Sequence, residues 1–517
     1  MHPKAGPALA KRLDSAQSYD VFEVNIFLRE EPAKEALSSG SLAGPSDRSP
    51  TINVIRSSVE RSQRALLEFL EAAQRETLRV DDTVSIRRAS KIESFWINNS
   101  VKADLTLDTL RHVLDRPDVL FVELARHADL QELLDTSTRV SSRPAVRKRK
   151  TVRRPSASAA PDQLLSTETW SVRRVNAPLL WQYGVDGSGS LVAVLDTGVN
   201  YNHPDLHGQM WQSALYPHHG YDFESNDDDP IDGQGHGTCC AGIVAGNGAA
   251  GKMTGIAPRA TIIAVRVGGT EAQYWRGMQF AIEQGAHVIS MSMSWKFPSS
   301  PNYPGWRRTC EAILAAGILH ANSIGNQGNQ LSSHPLPYNI AAPGNCPPPR
   351  LHPLQVIQGD ISSAIGCGAT SDSDELASYS GRGPAAWENS PYVDYPYVDG
   401  NSTGLIKPDL CAPGPGTESC NFLYDGNGSS AQPYVSFGGT SSATPHVAGC
   451  LALLACACLR SGKPIVPVQI QEALESTAVR IVGQSHEKEN HFGAGRVDVY
   501  AAYLYGLARE WWTAAVA

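Results

Sequence analysis

The chain has 517 residues, 41% hydrophobic and 19% charged, which is longer than one hydrophobic core usually organises and too apolar for a chain disordered throughout. Its 44 Lys plus Arg against 52 Asp plus Glu give a formal net charge of -8, which disfavours general attraction to nucleic acid or to anionic membranes. All 10 cysteines fall between Cys239 and Cys458 and several crowd together in apolar surroundings, which argues for buried free thiols and against a disulfide scaffold or a zinc site.

Residues 1–18 carry early lysines without an apolar core of signal length and read as an N-terminal tail. No stretch reads as long enough to span a bilayer, so the expected location is cytoplasmic. Residues 19–134 read as one unit. A strand begins at Asp20, and a helix from about Ser57 to Glu76 carries Leu66, Leu67, Leu70 and Ala73 at helical spacing. Strands follow from Thr83 and Ile92, then a helix from Leu105 and a strand from Val119. This β-α-β-β-α-β order predicts a small α+β, ferredoxin-like sheet backed by two helices.

Residues 135–166 change to Ser, Pro, Ala and Arg, with eight basic and no acidic side chains between Arg139 and Arg154. The composition predicts a solvated, protease-sensitive linker; a nucleic-acid tether would call for interleaved aromatics. From 167 to 510, short apolar strands such as LVAVLDTG, ATIIAVRV, HVISMSMS and LHANSIGN alternate with helices. The pattern predicts a mainly parallel, doubly wound α/β sheet with its active site at the carboxyl ends of the strands.

The chemistry gathers at those ends. Asp196 closes the strand LVAVL, where a lone Asp would read as a cap or turn residue. His236 sits between Gly235 and Gly237 at the start of a helix of small residues, open to the approach of another chain. Ser441 follows a Gly-rich turn at the start of a long apolar helix, where an N-cap is the bland reading. A serine hydroxyl is too weakly acidic to attack an amide unaided: it needs a base, a carboxylate to orient that base, and donors for the oxyanion. Asp196, His236 and Ser441 meet the first two needs, and Asn326 after LHANSIG meets the third.

DTGVNYNHPDL, GHGTCCAGIVA and GTSSATPHVAG resemble, in order, the three signature segments of the subtilisin-like serine proteases, over roughly Thr167 to Leu504. The resemblance implies a three-layer subtilisin fold and a catalytic set of Asp196, His236, Ser441 and the oxyanion residue Asn326. It also implies a substrate-binding edge at Ser292, Met293, Ser294, Trp295 and Lys296, with Ser323, Ile324 and Gly325 walling the pocket for the residue before the scissile bond. Met293-Ser294-Trp295 departs from the family's usual Leu-Gly-Gly, so a bulky ring is expected at the pocket lip. Cys240 falls where one branch of the family carries a thiol near the catalytic His, which raises the expectation of sensitivity to thiol reagents.

No cofactor is required for this chemistry. Asp205 matches a position that serves a structural calcium in many relatives, although the loop after Ala245 lacks the asparagine spacing that completes it. The acidic cluster Asp227, Asp228, Asp229 and Asp232 reads equally as oxygen ligands for a hard cation and as a solvated turn. By position and element order, residues 19–134 are similar to the family's inhibitory propeptide, which implies a tail after Leu124 lying in the cleft and self-cleavage between Ala125 and Ser166. The expected partners are a polypeptide substrate, this prodomain, and a regulatory protein meeting the Pro- and Tyr-rich insertions at 335–353 and 387–400; neither nucleic acid nor membrane is expected. The implied function is a zymogen-type serine endopeptidase used in proprotein maturation or in conditional stress or defence proteolysis. The alternative is a catalytically silent peptide-binding or regulatory protein on the same scaffold, which would have no need of all four catalytic residues.

Overall fold

The run VFEVNIFL forms the strand Val21–Leu28, and its alternation decides what it packs against. Phe22, Val24, Ile26 and Leu28 face helices Ser49–Arg75 and Leu107–Asp115 through Leu66, Leu70, Leu110 and Val113, while Phe27 points to the opposite layer. The computed structural model describes residues 2–38, 48–80, 85–134, 167–348, 363–388, 392, 395–397, 404–426 and 429–514; the basic linker lies outside them. Val21–Leu28 is flanked antiparallel by Ser100–Thr106 and Val119–Leu124, with Ala89–Phe95 outermost beside Ser100–Thr106. This is the ferredoxin-like strand order.

Four details differ from the sequence reading. The first long helix begins at Ser49, with Pro50 in its first turn, where a missing N–H is harmless. The stretch from Ile92 is a hairpin that turns at Asn99, whose φ of 50° is one that Asn adopts more readily than most residues. Ser85–Arg87 leaves the main sheet and pairs with Thr77–Arg79. Within the N-terminal tail, helix Pro7–Leu13 buries Leu9, and the backbones of Lys4 and Gly6 bond to Val122. Apolar Leu9 and Ala10 supply the burial that anchors this segment.

The larger unit is built on seven parallel strands in the order Leu410–Pro413, Ile365–Thr370, Leu319–Ser323, Val288–Met291, Leu191–Asp196, Thr261–Arg266, Gly220–Asp222. Helices cover both faces, so the central strands are buried along nearly their whole length, and Leu191–Asp196 and Thr261–Arg266 are near-continuous apolar runs. Val192 and Val194 face the layer that holds helices His236–Ala245 and Thr440–Arg460, and Ala193 and Leu195 face helices Glu271–Glu283 and Tyr303–Ala315. Helix Thr440–Arg460 is, contrary to the sequence reading, long and apolar enough to cross a membrane; here 94% of its apolar window is buried in the core. The small unit sits on the outer side of the Glu271–Glu283 and Tyr303–Ala315 layer, and the aromatic cores of the two units run together there.

Candidate active site

Three buried elements end at one point. The strand Leu191–Asp196 delivers Asp196, the helix His236–Ala245 begins with His236, and Ser441 is the second residue of helix Thr440–Arg460. Gly235, with φ of 105°, makes the turn that feeds His236 into its helix, a conformation a side chain would strain. His236 Nδ1 lies 2.7 Å from Asp196 Oδ1, and Nε2 lies 2.9 Å from Ser441 Oγ. Because Asp196 accepts the Nδ1 proton, Nε2 is left as the acceptor facing the serine hydroxyl. Ser441 Oγ is also 3.1 Å from the Ser292 carbonyl, and Ser292 Oγ donates to the Ser441 carbonyl at 3.0 Å, which ties the nucleophile to the substrate edge.

Asn326 is held by its carbonyl. Its Oδ1 accepts from the Thr440 N–H at 2.9 Å and the Thr440 hydroxyl at 3.0 Å, and its buried Nδ2 has no acceptor among the described residues. A buried amide whose oxygen is fixed and whose NH2 is unspent keeps a donor for a group that enters the site. The Ser441 N–H lies in the first turn of its helix, where backbone N–H groups have no intrahelical partner.

The 292–296 segment, expected to bind substrate, is met by the chain's own residues. Leu134 pairs antiparallel with Met293, the Ser294 N–H donates to the Leu133 carbonyl at 2.9 Å, and Lys296 Nζ reaches the same carbonyl at 2.8 Å. On the other side Ala128 N–H donates to the Gly269 carbonyl and His127 pairs with Thr270. Trp295, the ring expected at the pocket lip, is fully buried, pairs with Ala342 and packs its ring on Tyr274 at 6.0 Å. Beyond the strand Leu319–Ser323, Gly325 (φ 96°) turns the backbone, while Ile324 and Gly325 bond to Ala341 and Gly381.

Asp232 has a function that sequence reasoning missed. Its carboxylate accepts from the Thr197 and Thr238 hydroxyls and from the N–H groups of Gln234, Gly235 and Thr238, and Thr197 Oγ1 accepts from Gly237 N–H. Burial pushes its pKa up and these donors oppose that rise. It thereby joins the residue after Asp196 to the residues around His236. The signal available in the sequence was an Asp four residues before the histidine in a Gly-rich turn, a position for an N–H acceptor rather than a cation ligand. Asp227 and Asp229 are likewise used locally, by Asp229 N–H and the Tyr201 hydroxyl.

Asp205 does not fit calcium. One carboxylate oxygen accepts the Ala250 N–H and the other the Tyr434 hydroxyl, and burial raises its pKa. The ligand atoms nearest to it belong to His203 and Cys420, and both His203 ring nitrogens are already bonded, to Asp205 N–H and the Pro433 carbonyl. Calcium asks for six to eight oxygens, and this pocket instead presents donors to the carboxylate. Cys240 does lie at the triad, with Sγ 3.8 Å from His236 Nδ1, and burial pushes its thiol far up, so it is a neutral neighbour.

A serine, a histidine and a carboxylate on a doubly wound parallel sheet, beside an unspent amide donor, define a serine-nucleophile hydrolase of the subtilisin fold. The Subtilase family profile matches residues 187–495. Thermitase of Thermoactinomyces vulgaris is 31% identical over 351 residues, 66% of this chain and 99% of its own. Subtilisin BL of Lederbergia lenta is 29% identical over 338 residues, 64% of this chain and 97% of its own. Alkaline elastase YaB of Bacillus sp. (strain YaB) is 29% identical over 343 residues, 65% of this chain and 71% of its own. The chain belongs to the subtilase family.

Proposed function

We propose that the chain is a serine endopeptidase made as a zymogen, with residues 19–134 as its inhibitory prodomain. The observation that carries this reading is a complete Asp196–His236–Ser441 relay whose substrate edge is filled by Leu133 and Leu134 of the same chain. In this reading His236 takes the Ser441 proton as Oγ attacks a peptide carbonyl, Asp196 stabilises the imidazolium, and Asn326 Nδ2 with the Ser441 N–H holds the oxyanion. His236 then protonates the leaving amine, and water, activated by the same imidazole, releases the acyl-enzyme. An extended polypeptide adds to the Ser292–Lys296 edge, which selects unfolded or loop segments.

The insertion at 387–400 supports a different partner from the regulatory protein expected of it. The Tyr392 hydroxyl donates to Glu31 of the prodomain at 2.7 Å, and Trp387 packs beside Tyr392. We assign Trp387 and Tyr392 to prodomain binding; residues 389–391, 393–394 and 398–400 of this insertion, and 349–353 of the one at 335–353, lie outside the described residues. All ten cysteines are free and buried, which supports a reducing, cytoplasmic setting. The test is labelling by a fluorophosphonate together with hydrolysis of a fluorogenic peptide. Labelling confined to Ser441 and loss of both signals in Ser441→Ala support the reading; peptide hydrolysis that survives Ser441→Ala contradicts it.

A further inference from the structure

Lys296 closes the substrate edge with a charge. Ser292, Met293, Ser294 and Trp295 before it are neutral and buried, and Lys296 itself is 6% exposed. Its Nζ donates to the Ser294 carbonyl at 2.9 Å, which turns the ammonium back along the edge, and to the Leu133 carbonyl at 2.8 Å, so it touches what fills the cleft. In the tail that carbonyl ends the helix Leu130–Leu133, where the last carbonyls lack intrahelical donors. An extended substrate has no helix end to offer, and the ammonium then meets a side chain instead. Ser441 Oγ lies 3.1 Å from the Ser292 carbonyl, which puts the residue before the scissile bond at Ser292. A chain paired antiparallel, as Leu134 is with Met293, runs back from there past Ser294 to Lys296. Lys296 therefore faces a residue about four or five places before the bond.

The sign of the surroundings agrees. Segments 292–302 and 323–346, joined where Trp295 pairs with Ala342, contain no Asp or Glu. Arg382, whose N–H donates to Asn339 at 2.9 Å, brings a second cation onto that wall. Burial, and after it the Lys296 charge, lower the His334 pKa, so the same positive field reaches across the wall. The chain's own sequence ahead of the linker has the opposite sign: residues 128–138 hold Asp129, Glu132 and Asp135 and no Lys or Arg, before the basic run opens at Arg139. Covering an ammonium with a neutral side chain costs free energy that a carboxylate offsets.

We propose that Lys296 is a specificity-determining residue that selects substrates carrying Asp or Glu about four or five residues before the scissile bond. The proposal rests on the endopeptidase reading above and names its substrate class. The test uses self-cut wild type and a quenched fluorogenic peptide that it cleaves at one bond, remade in pairs with Glu or Gln at each position from the third to the sixth before that bond. At one of these positions the Glu peptide is expected to show kcat/KM about tenfold above its Gln partner. Equal values at every position overturn the proposal, and no variant is needed to see it. Lys296→Gln should bring that pair level while Lys296→Arg keeps the preference; a preference that survives Lys296→Gln would also overturn it. A chain that cleaves no peptide contradicts the endopeptidase reading itself, whereas cleavage without preference contradicts this inference alone.

Discussion

Asn326 and Asp232 show what two side chains of ordinary appearance do once their partners are known. Thr440 fixes the Asn326 oxygen, which leaves the amide nitrogen as the donor that the proposed mechanism gives to the oxyanion. Asn326→Ala should therefore lower kcat by about 10²–10³ with little change in KM, measured on a fluorogenic peptide. Asp232→Ala leaves several buried donors without an acceptor, and should cost about 3 kcal/mol or more in thermal unfolding while lowering kcat, because the turn that places His236 loosens. Asp196, His236 and Ser441 were legible because each stands in a long motif beside a glycine. Asp232 was not, because its work is accepting N–H groups from a turn, and an Asp in an acidic run looks the same whether it faces solvent or a backbone. Asp205 was misread for the opposite reason: its place in the motif is that of a calcium ligand, but Tyr434 and Ala250, distant in sequence, bring donors to it.

At the scale of elements, the alternation of apolar residues found the strands, and the Gly-rich junctions found where they end. What the sequence could not reveal was that one strand serves two cores: Phe22, Val24 and Ile26 belong to the core of the small unit, and Phe27 to the shared aromatic layer. Turn positions were missed where a single Asn accepts positive φ, as at Asn99. The tail is the element with the most direct consequence for activity. Leu133 is fully buried in the apolar cluster beside the Met293–Ser294 edge, so Leu133→Asp puts a carboxylate into an apolar seat and loosens the tail. That variant should hydrolyse a short peptide from the first minutes, before any cleavage of the linker, whereas the parent shows a lag. An identical lag in both would mean that the tail does not govern access to Ser441.

For the whole molecule, acid–base behaviour follows from two carboxyls near the junction of the units. Burial raises both Glu123, with Arg126 beside it, and Glu271, which also feels Arg126 and Glu123, to about 7 from an ordinary 4.5. Their folded pKa values lie above the unfolded ones, so the native state takes up protons relative to the unfolded chain. Their contribution is fully present below pH 4.5 and is lost as the pH rises to about 7. Glu271→Gln should flatten that part of the stability profile, read as denaturant midpoint against pH in Ser441→Ala so that self-digestion does not intervene. The same background suits the measurement that bears most directly on the central claim, that this subtilase restrains and then releases itself through its own triad. Intact mass is followed over time for the wild type beside Ser441→Ala. The account predicts that the wild type alone splits, between residues 134 and 166. A wild type that stays whole, or a Ser441→Ala chain that splits at the same bond and the same rate, would contradict it.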